Sequence, residues 1–306
     1  MNTTHKTWNI RWQVTMSLVA GFVLVASPMQ SRAEHPVDVQ RLTADGDYFK
    51  ALSVYELLPD RQLDRDTYVS AAKSAWALGL TKQANKLFDT VLRGTTISTD
   101  ERARITLSRA AIEYQEERYQ EAALFAEKAA SYLPEKSPLR GRALLLAGQS
   151  LIKLSAYSTA EEKLARALGD AASSDRPEVA FSLGTVQVKL GKFSDAERSF
   201  KAIPTDHPRA PLAVKALATI SMQSEQRDRA RFWIEKGRGN YPEAFLDSWA
   251  DYGLTRVALD SGDLAQARDV VDKAAKRYPP SDGWLILMQA ALEQAEWNKA
   301  GEGYKQ

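Results

Sequence analysis

The sequence predicts an all-α protein, an α-solenoid built from about eight stacked helical hairpins. Three observations carry that reading. Prolines from Pro59 to Pro280 punctuate the chain, and the stretches between them are rich in Ala, Leu, Glu, Lys, Arg and Gln, residues that favour helix. Within those stretches apolar residues recur at three- and four-residue spacing, and strand-like alternation is sustained nowhere. Finally, Ala51, Ala84, Ala122, Ala160, Ala196, Ala230, Ala267 and Ala300 follow one another at a nearly even spacing: 33, 38, 38, 36, 34, 37 and 33 in turn. Self-similarity at such a period marks a repeat architecture.

The flanks of these alanines share a pattern. Three residues before often stands a large apolar or aromatic residue: Tyr48, Tyr119, Tyr157, Phe193, Leu264 or Trp297. Five before is often glycine (Gly46, Gly79, Gly191, Gly262), whereas Glu117, Ser155 and Glu225 replace it in three units. Four after is usually bulky, as at Tyr55, Phe88, Leu164, Phe200, Ile234, Val271 and Tyr304. Proline follows twelve after at Pro134, Pro208, Pro242 and Pro279.

Each position has a physical reading. Glycine ends the first helix by adopting a left-handed conformation. Alanine marks a close helix crossing, the bulky neighbours fill the space between hairpins, and proline stops the second helix. A lone hairpin leaves an apolar face bare, so stacking completes the core. In order, the units span 37–59, 65–92, 103–134, 141–172, 177–208, 211–242, 248–279 and 281–306. The first carries a truncated first helix, and the longer units are expected to carry longer loops, such as Arg93–Thr99.

This pattern resembles the tetratricopeptide repeat (TPR) family, whose units are helical hairpins of about 34 residues. The unit from Pro177 to Pro208 matches best, through Leu183, Gly184, Gly191, Phe193, Ala196 and Phe200. The last unit matches through Trp284, Leu287, Trp297, Ala300 and Tyr304. The resemblance covers roughly residues 37–306 and implies a right-handed superhelix.

The N-terminal segment, 1–33, stands apart. Lys6 and Arg11 precede an apolar run from Ser17 to Ala26, and Ser31-Arg32-Ala33 forms a small-residue site. This is the layout of a secretory signal peptide, cleaved after Ala33; the run is too short for the roughly 20 residues of a bilayer span. Export places the remainder in the periplasm, the alternative being an uncleaved anchor in the inner membrane with the same solenoid facing the periplasm. That anchor is the only membrane contact expected. Without the three basic residues of this segment, the formal charge of +2 becomes about −1, so the basic balance gives no argument for nucleic-acid binding.

Catalytic chemistry is not found in the sequence. The 306 residues contain no cysteine, which removes disulfides, thiolate metal sites and a cysteine nucleophile. His35 and His207 are the histidines left after the leader, and His207 precedes a proline at a repeat boundary, a turn context. Glu116-Glu117 and Glu161-Glu162 are adjacent on helices and point about 100° apart, so neither makes an acid/base pair. Gly237-Arg238-Gly239 follows no strand and reads as a helix end. No enzyme, metal or cofactor is expected. A basic and aromatic segment, Arg227, Arg229, Arg231, Phe232, Trp233, Lys236 and Arg238, reads as packed rings under a solvated face.

The resemblance implies partner binding through the first helices, which line the concave side of the superhelix. Counted back from each marker alanine, the family's groove positions fall at −18, −15, −11 and −8. They give Asp66, Val69, Lys73 and Trp76; Arg104, Leu107, Ala111 and Tyr114; Arg142, Leu145, Gln149 and Ile152; Lys215, Thr219 and Met222; and Trp249, Tyr252, Arg256 and Leu259. A basic and aromatic groove follows, suited to an extended peptide or an acidic helix. The expected function is a non-enzymatic protein-interaction scaffold or assembly module of the cell envelope. The alternative is a periplasmic scaffold region of an exopolysaccharide synthesis or export system, as the front part of a longer outer-membrane protein.

Overall fold

The computed structural model describes residues 35–94 and 97–303. The expected signal peptide, its cleavage site and Tyr304 lie outside the described residues. Among the described residues there are helices and connecting turns but no strand.

Seven hairpins follow one another. They are α1 (Pro36–Ala44) with α2 (Tyr48–Leu57), α3 (Arg65–Ala77) with α4 (Thr81–Leu92), and α5 (Thr99–Gln115) with α6 (Tyr119–Ser131). Next come α7 (Pro138–Lys153) with α8 (Tyr157–Asp170) and α9 (Arg176–Lys189) with α10 (Phe193–Lys201). Then α11 (Ala210–Gln223) pairs with α12 (Arg227–Asn240) and α13 (Ser248–Asp260) with α14 (Leu264–Ala275), before a single helix, α15 (Gly283–Gly303). Each helix packs on its hairpin partner, and each second helix packs on the first helix of the next hairpin. This serial contact pattern is that of a solenoid.

The turn chemistry follows from the residue five before each marker. Gly46, Gly79, Gly191 and Gly262 have φ between +71° and +80°, and Glu117, Ser155 and Glu225 adopt φ of 56–60° at the equivalent place. All seven turns therefore share one left-handed residue. The seven markers from Ala51 to Ala267 are completely buried. Phe88, Leu164, Phe200, Ile234 and Val271, one turn later, are buried as well.

The eighth unit departs from the expected hairpin. At its turn position stands Ala295, the strongest helix former, and α15 runs through it without a break. As a result Ala300 is exposed rather than buried, and Trp297 is 80% exposed. Prolines also do more than stop helices: Pro36, Pro138, Pro177 and Pro211 sit in the first turn of α1, α7, α9 and α11. There the missing N–H costs nothing and the fixed φ suits the helix. The longer third unit spends part of its extra length on helix, since α5 has 17 residues where α3 has 13. His207 behaves as a turn residue, its Nδ1 accepting from the Arg209 backbone N–H at 3.2 Å.

Candidate functional site

The first helices present two clefts. The larger, about 610 Å³, lies between α11 and α13 and is lined by Thr219, Met222, Trp249, Tyr252 and Arg256 among others. All five are groove positions in the sequence register. The second, about 490 Å³, lies at α3 and α5 and includes Lys73 and Trp76, with Thr43 of α1 and Ser108 and Gln115 of α5. The amphipathic period that buries Ala71, Ala72 and Ala75 against α4 turns Lys73 outward and leaves Trp76 half-buried.

At the larger cleft, the rings are held rather than loose. Trp249 meets Phe245 edge-on, with centroids 6.0 Å apart. The Lys215 ammonium sits 5.5 Å from the Trp249 centroid and 5.3 Å from Phe245, and pairs with Asp247 at 2.6 Å. The Arg256 guanidinium pairs with Asp260 at 3.1 Å. Hydrogen bonding to that carboxylate raises the Arg256 pKa further, with a lesser contribution from Tyr252. At the second cleft, Trp76 Nε1 donates to Gln115 Oε1 at 2.7 Å, which fixes the indole plane. Lys73 has no ion-pair partner among the described residues.

Of the ten candidate residues, Arg104, Tyr114, Arg142, Gln149 and Lys215 line neither cleft, although Lys215 stands beside Trp249. Tyr114 packs edge-on against Tyr119 at 5.3 Å; burial, then the neighbouring phenol, pushes its pKa up. Arg104 pairs with Asp100 at 2.7 Å and Arg142 with Asp175 at 2.7 Å. Gln149 Nε2 donates to Ser182 Oγ at 3.3 Å. Every one of the ten candidate side chains is exposed or half-buried.

The groove is less basic than the sequence suggests. Arg104, Arg142, Lys215 and Arg256 each have an aspartate partner, so the surface is aromatic and zwitterionic. The aspartates were hidden because two of them come from the next repeat: Asp175 is 33 residues beyond Arg142, and Asp247 is 32 beyond Lys215. Thr43 and Glu178 were also missed, although the same register applied to the first and fifth units reaches them. Glu178 receives Arg209 bidentately at 2.8 Å, and Arg209 lies 5.1 Å over the Phe181 ring.

The basic helix α12 is a second helix whose first residue, Arg227, reaches the larger cleft. Trp233 is buried as expected, whereas Phe232 is 54% exposed and does not pack between hairpins. The two rings meet edge-on and Lys236 caps both, at 5.6 and 5.0 Å. Arg229 pairs with Glu197, which Lys201 also holds at 2.6 Å. The Glu197 carboxyl is consequently held below the usual range, chiefly by Lys201. Arg238, Arg277 and the Tyr278 hydroxyl converge on buried Asp251, joining α12, α13 and the end of α14. Among the described residues no carboxylate and histidine group is arranged to hold a metal ion, and no helix is long and apolar enough to cross a membrane.

Residues 69–137 match the family model of the tetratricopeptide repeat. Solved structures share the fold at low identity. The C-terminal part of a TPR repeat-containing protein from Cytophaga hutchinsonii superposes with a TM-score of 0.69 at 14% identity, covering 83% of this chain and 99% of that one. PilW, described as a widely conserved type IV pilus biogenesis factor, gives 0.54 at 19% identity, covering 73% and 98%. YrrB, described as a TPR protein with an unusual peptide-binding site, gives 0.50 at 21%, covering 66% and 95%. No curated protein matches the sequence.

Proposed function

We propose that this chain, whose residues 69–137 match the tetratricopeptide-repeat model and whose helices form the solenoid of such proteins, is a non-enzymatic scaffold that captures a partner protein through the face of its first helices. The observation that carries this reading is the cleft at α11 and α13. It combines a held indole, a phenol, the Met222 thioether and an arginine–aspartate pair in about 610 Å³. Rigid aromatic side chains beside polar groups supply affinity at small entropic cost, and the cleft admits side chains of an extended segment. Arg256 is paired with Asp260 and Lys215 with Asp247, which leaves Arg227 as the one lining cation without an ion pair among the described residues. A partner bearing an aromatic or aliphatic anchor beside a single carboxylate therefore suits the cleft better than a uniformly acidic helix.

The signal-peptide pattern of segment 1–33 supports a periplasmic setting for this scaffold. N-terminal sequencing of the exported protein tests that part: Glu34 as the first residue agrees, and a retained leader converts the reading to an anchored protein.

The binding reading is tested with peptides selected from a random library on the mature protein. A peptide that binds the parent should lose at least about tenfold in affinity when Trp249 and Tyr252 are both replaced by Ala, since central aromatic anchors contribute about 2 kcal/mol or more. Replacing Phe232 by Ala on α12, outside the cleft lining, should leave affinity unchanged. Equal binding by the parent and the Trp249/Tyr252 variant would overturn the assignment.

A further inference from the structure

On the other side of the solenoid, α4, α5 and α6 enclose a cavity of about 470 Å³. Arg109, which lines it, is two residues from the groove position Leu107, about 200° around α5. The cavity therefore opens away from the groove. Its lining includes four cations, Arg93, Arg102, Arg109 and Lys128, and a single carboxylate, Asp89.

The hydrogen bonds show which of these charges are committed. Arg102 donates to the Leu92 and Gly94 carbonyls at 3.1 and 3.4 Å, closing the end of α4. Arg93 Nε donates to the Asp89 carbonyl at 3.2 Å. Asp89 is engaged by Arg109, whose guanidinium stacks 4.3 Å over the Phe125 ring. Arg109 Nε is buried without a partner, and Lys128 has no side-chain partner among the described residues. One carboxylate against four cations leaves a formal lining charge of +3. Arg93 and Lys128 are exposed at the mouth while Arg102 and Arg109 are half-buried, so the surplus is open to solvent on one side and available to an anion that enters.

We propose that this cavity binds a doubly charged tetrahedral oxyanion, a phosphate or sulfate group. A dianion offsets the surplus where a single carboxylate leaves most of it. Guanidinium forks match tetrahedral oxyanions bidentately, and the ring of Phe125 holds the Arg109 fork in place. The space exceeds that of the ion alone, and Tyr132 lines it too, so the organic part of an ester is accommodated. The free ion and the ester share this chemistry.

The test is calorimetric titration of the mature protein at low ionic strength and pH 8, with inorganic phosphate, phenyl phosphate and acetate in turn. Saturable binding of at least one phosphate and none of acetate is expected. A double Arg93→Ala/Lys128→Ala variant, both positions being exposed, should melt like the parent and bind at least about tenfold more weakly. Tighter binding of phenyl phosphate than of phosphate identifies the ester as the natural form; equal binding identifies the free ion. No saturable heat with either phosphate, equal affinity for acetate, or undiminished binding by the double variant overturns the proposal.

Discussion

Phe200 lies directly on the backbone of Gly184. A β-carbon at Gly184 would come within 2.9 Å of the ring's Cε1 and Cζ, and the ring is itself held edge-on by Phe181 at 5.7 Å. One repeat earlier, at the same two register positions, a β-carbon at Gly148 would come within 2.5 Å of Leu164 Cγ. Glycine twelve before the marker thus makes room for the bulky residue four after it, inside one hairpin. Gly184→Ala should therefore lower stability by about 1–3 kcal/mol through overpacking, read as a lower denaturant midpoint.

The markers themselves divide into two kinds. Ala196 is fully buried, so Ala196→Leu should cost about 1–3 kcal/mol, with hydrogen exchange rising mainly in the adjoining repeats. Ala300 occupies the same sequence register but is exposed on α15, and Ala300→Leu should stay within about 0.5 kcal/mol of the parent. Equal losses in the two variants would contradict the straight course of α15.

Three of the seven turns carry a side chain where φ is positive, at Glu117, Ser155 and Glu225. A left-handed conformation costs an ordinary L-residue roughly 1–2 kcal/mol, which glycine avoids. Replacing each by glycine should stabilise the protein by about 0.5–1 kcal/mol after glycine's own entropy is counted. Thermal melts of the three single variants and of the triple variant check both the sign and the additivity expected of distant sites.

The Glu197 carboxyl has a lowered pKa because Lys201, and then Arg229, favour its charged form. A depressed carboxylate contributes stability above its unfolded-state value, and that contribution is lost as pH falls through the folded value. Glu197→Gln should consequently be less stable than the parent at pH 7. The gap should close as pH falls through and below the ordinary glutamate value of about 4.3. Paired urea titrations at pH 7 and pH 3 measure it; a gap that is equal or larger at pH 3 contradicts the assignment.

Local order was largely legible in the sequence, and long-range charge was not. The buried alanines and left-handed turns depend on contacts within one hairpin, whose spacing the chain itself fixes, so Ala51 to Ala267 and Gly46 to Gly262 could be read directly. The partners of Arg142 and Lys215 come from the next repeat; naming them requires the register of two units together. The eighth hairpin was misread because Trp297 and Ala300 fit the pattern, while Ala295 removes the turn that gives the pattern its meaning. The outer cavity escaped notice because Arg93, Arg109 and Lys128 belong to three different stretches of the chain, and no linear spacing joins them.

The central claim is that the first-helix face around Tyr252 is the working surface. Site-specific photo-crosslinking in the cell tests it most directly, with a photoreactive phenylalanine placed singly at Tyr252, Trp76 and Phe232. Tyr252 lies on the first helix α13 and lines the larger cleft, whereas Phe232 lies on the second helix α12 outside that lining, and both are accessible to a partner. The account predicts a discrete crosslinked protein from Tyr252, and from Trp76 where the partner extends along the groove, with none from Phe232. A crosslink from Phe232 with none from Tyr252 would contradict it and move the interaction to α12.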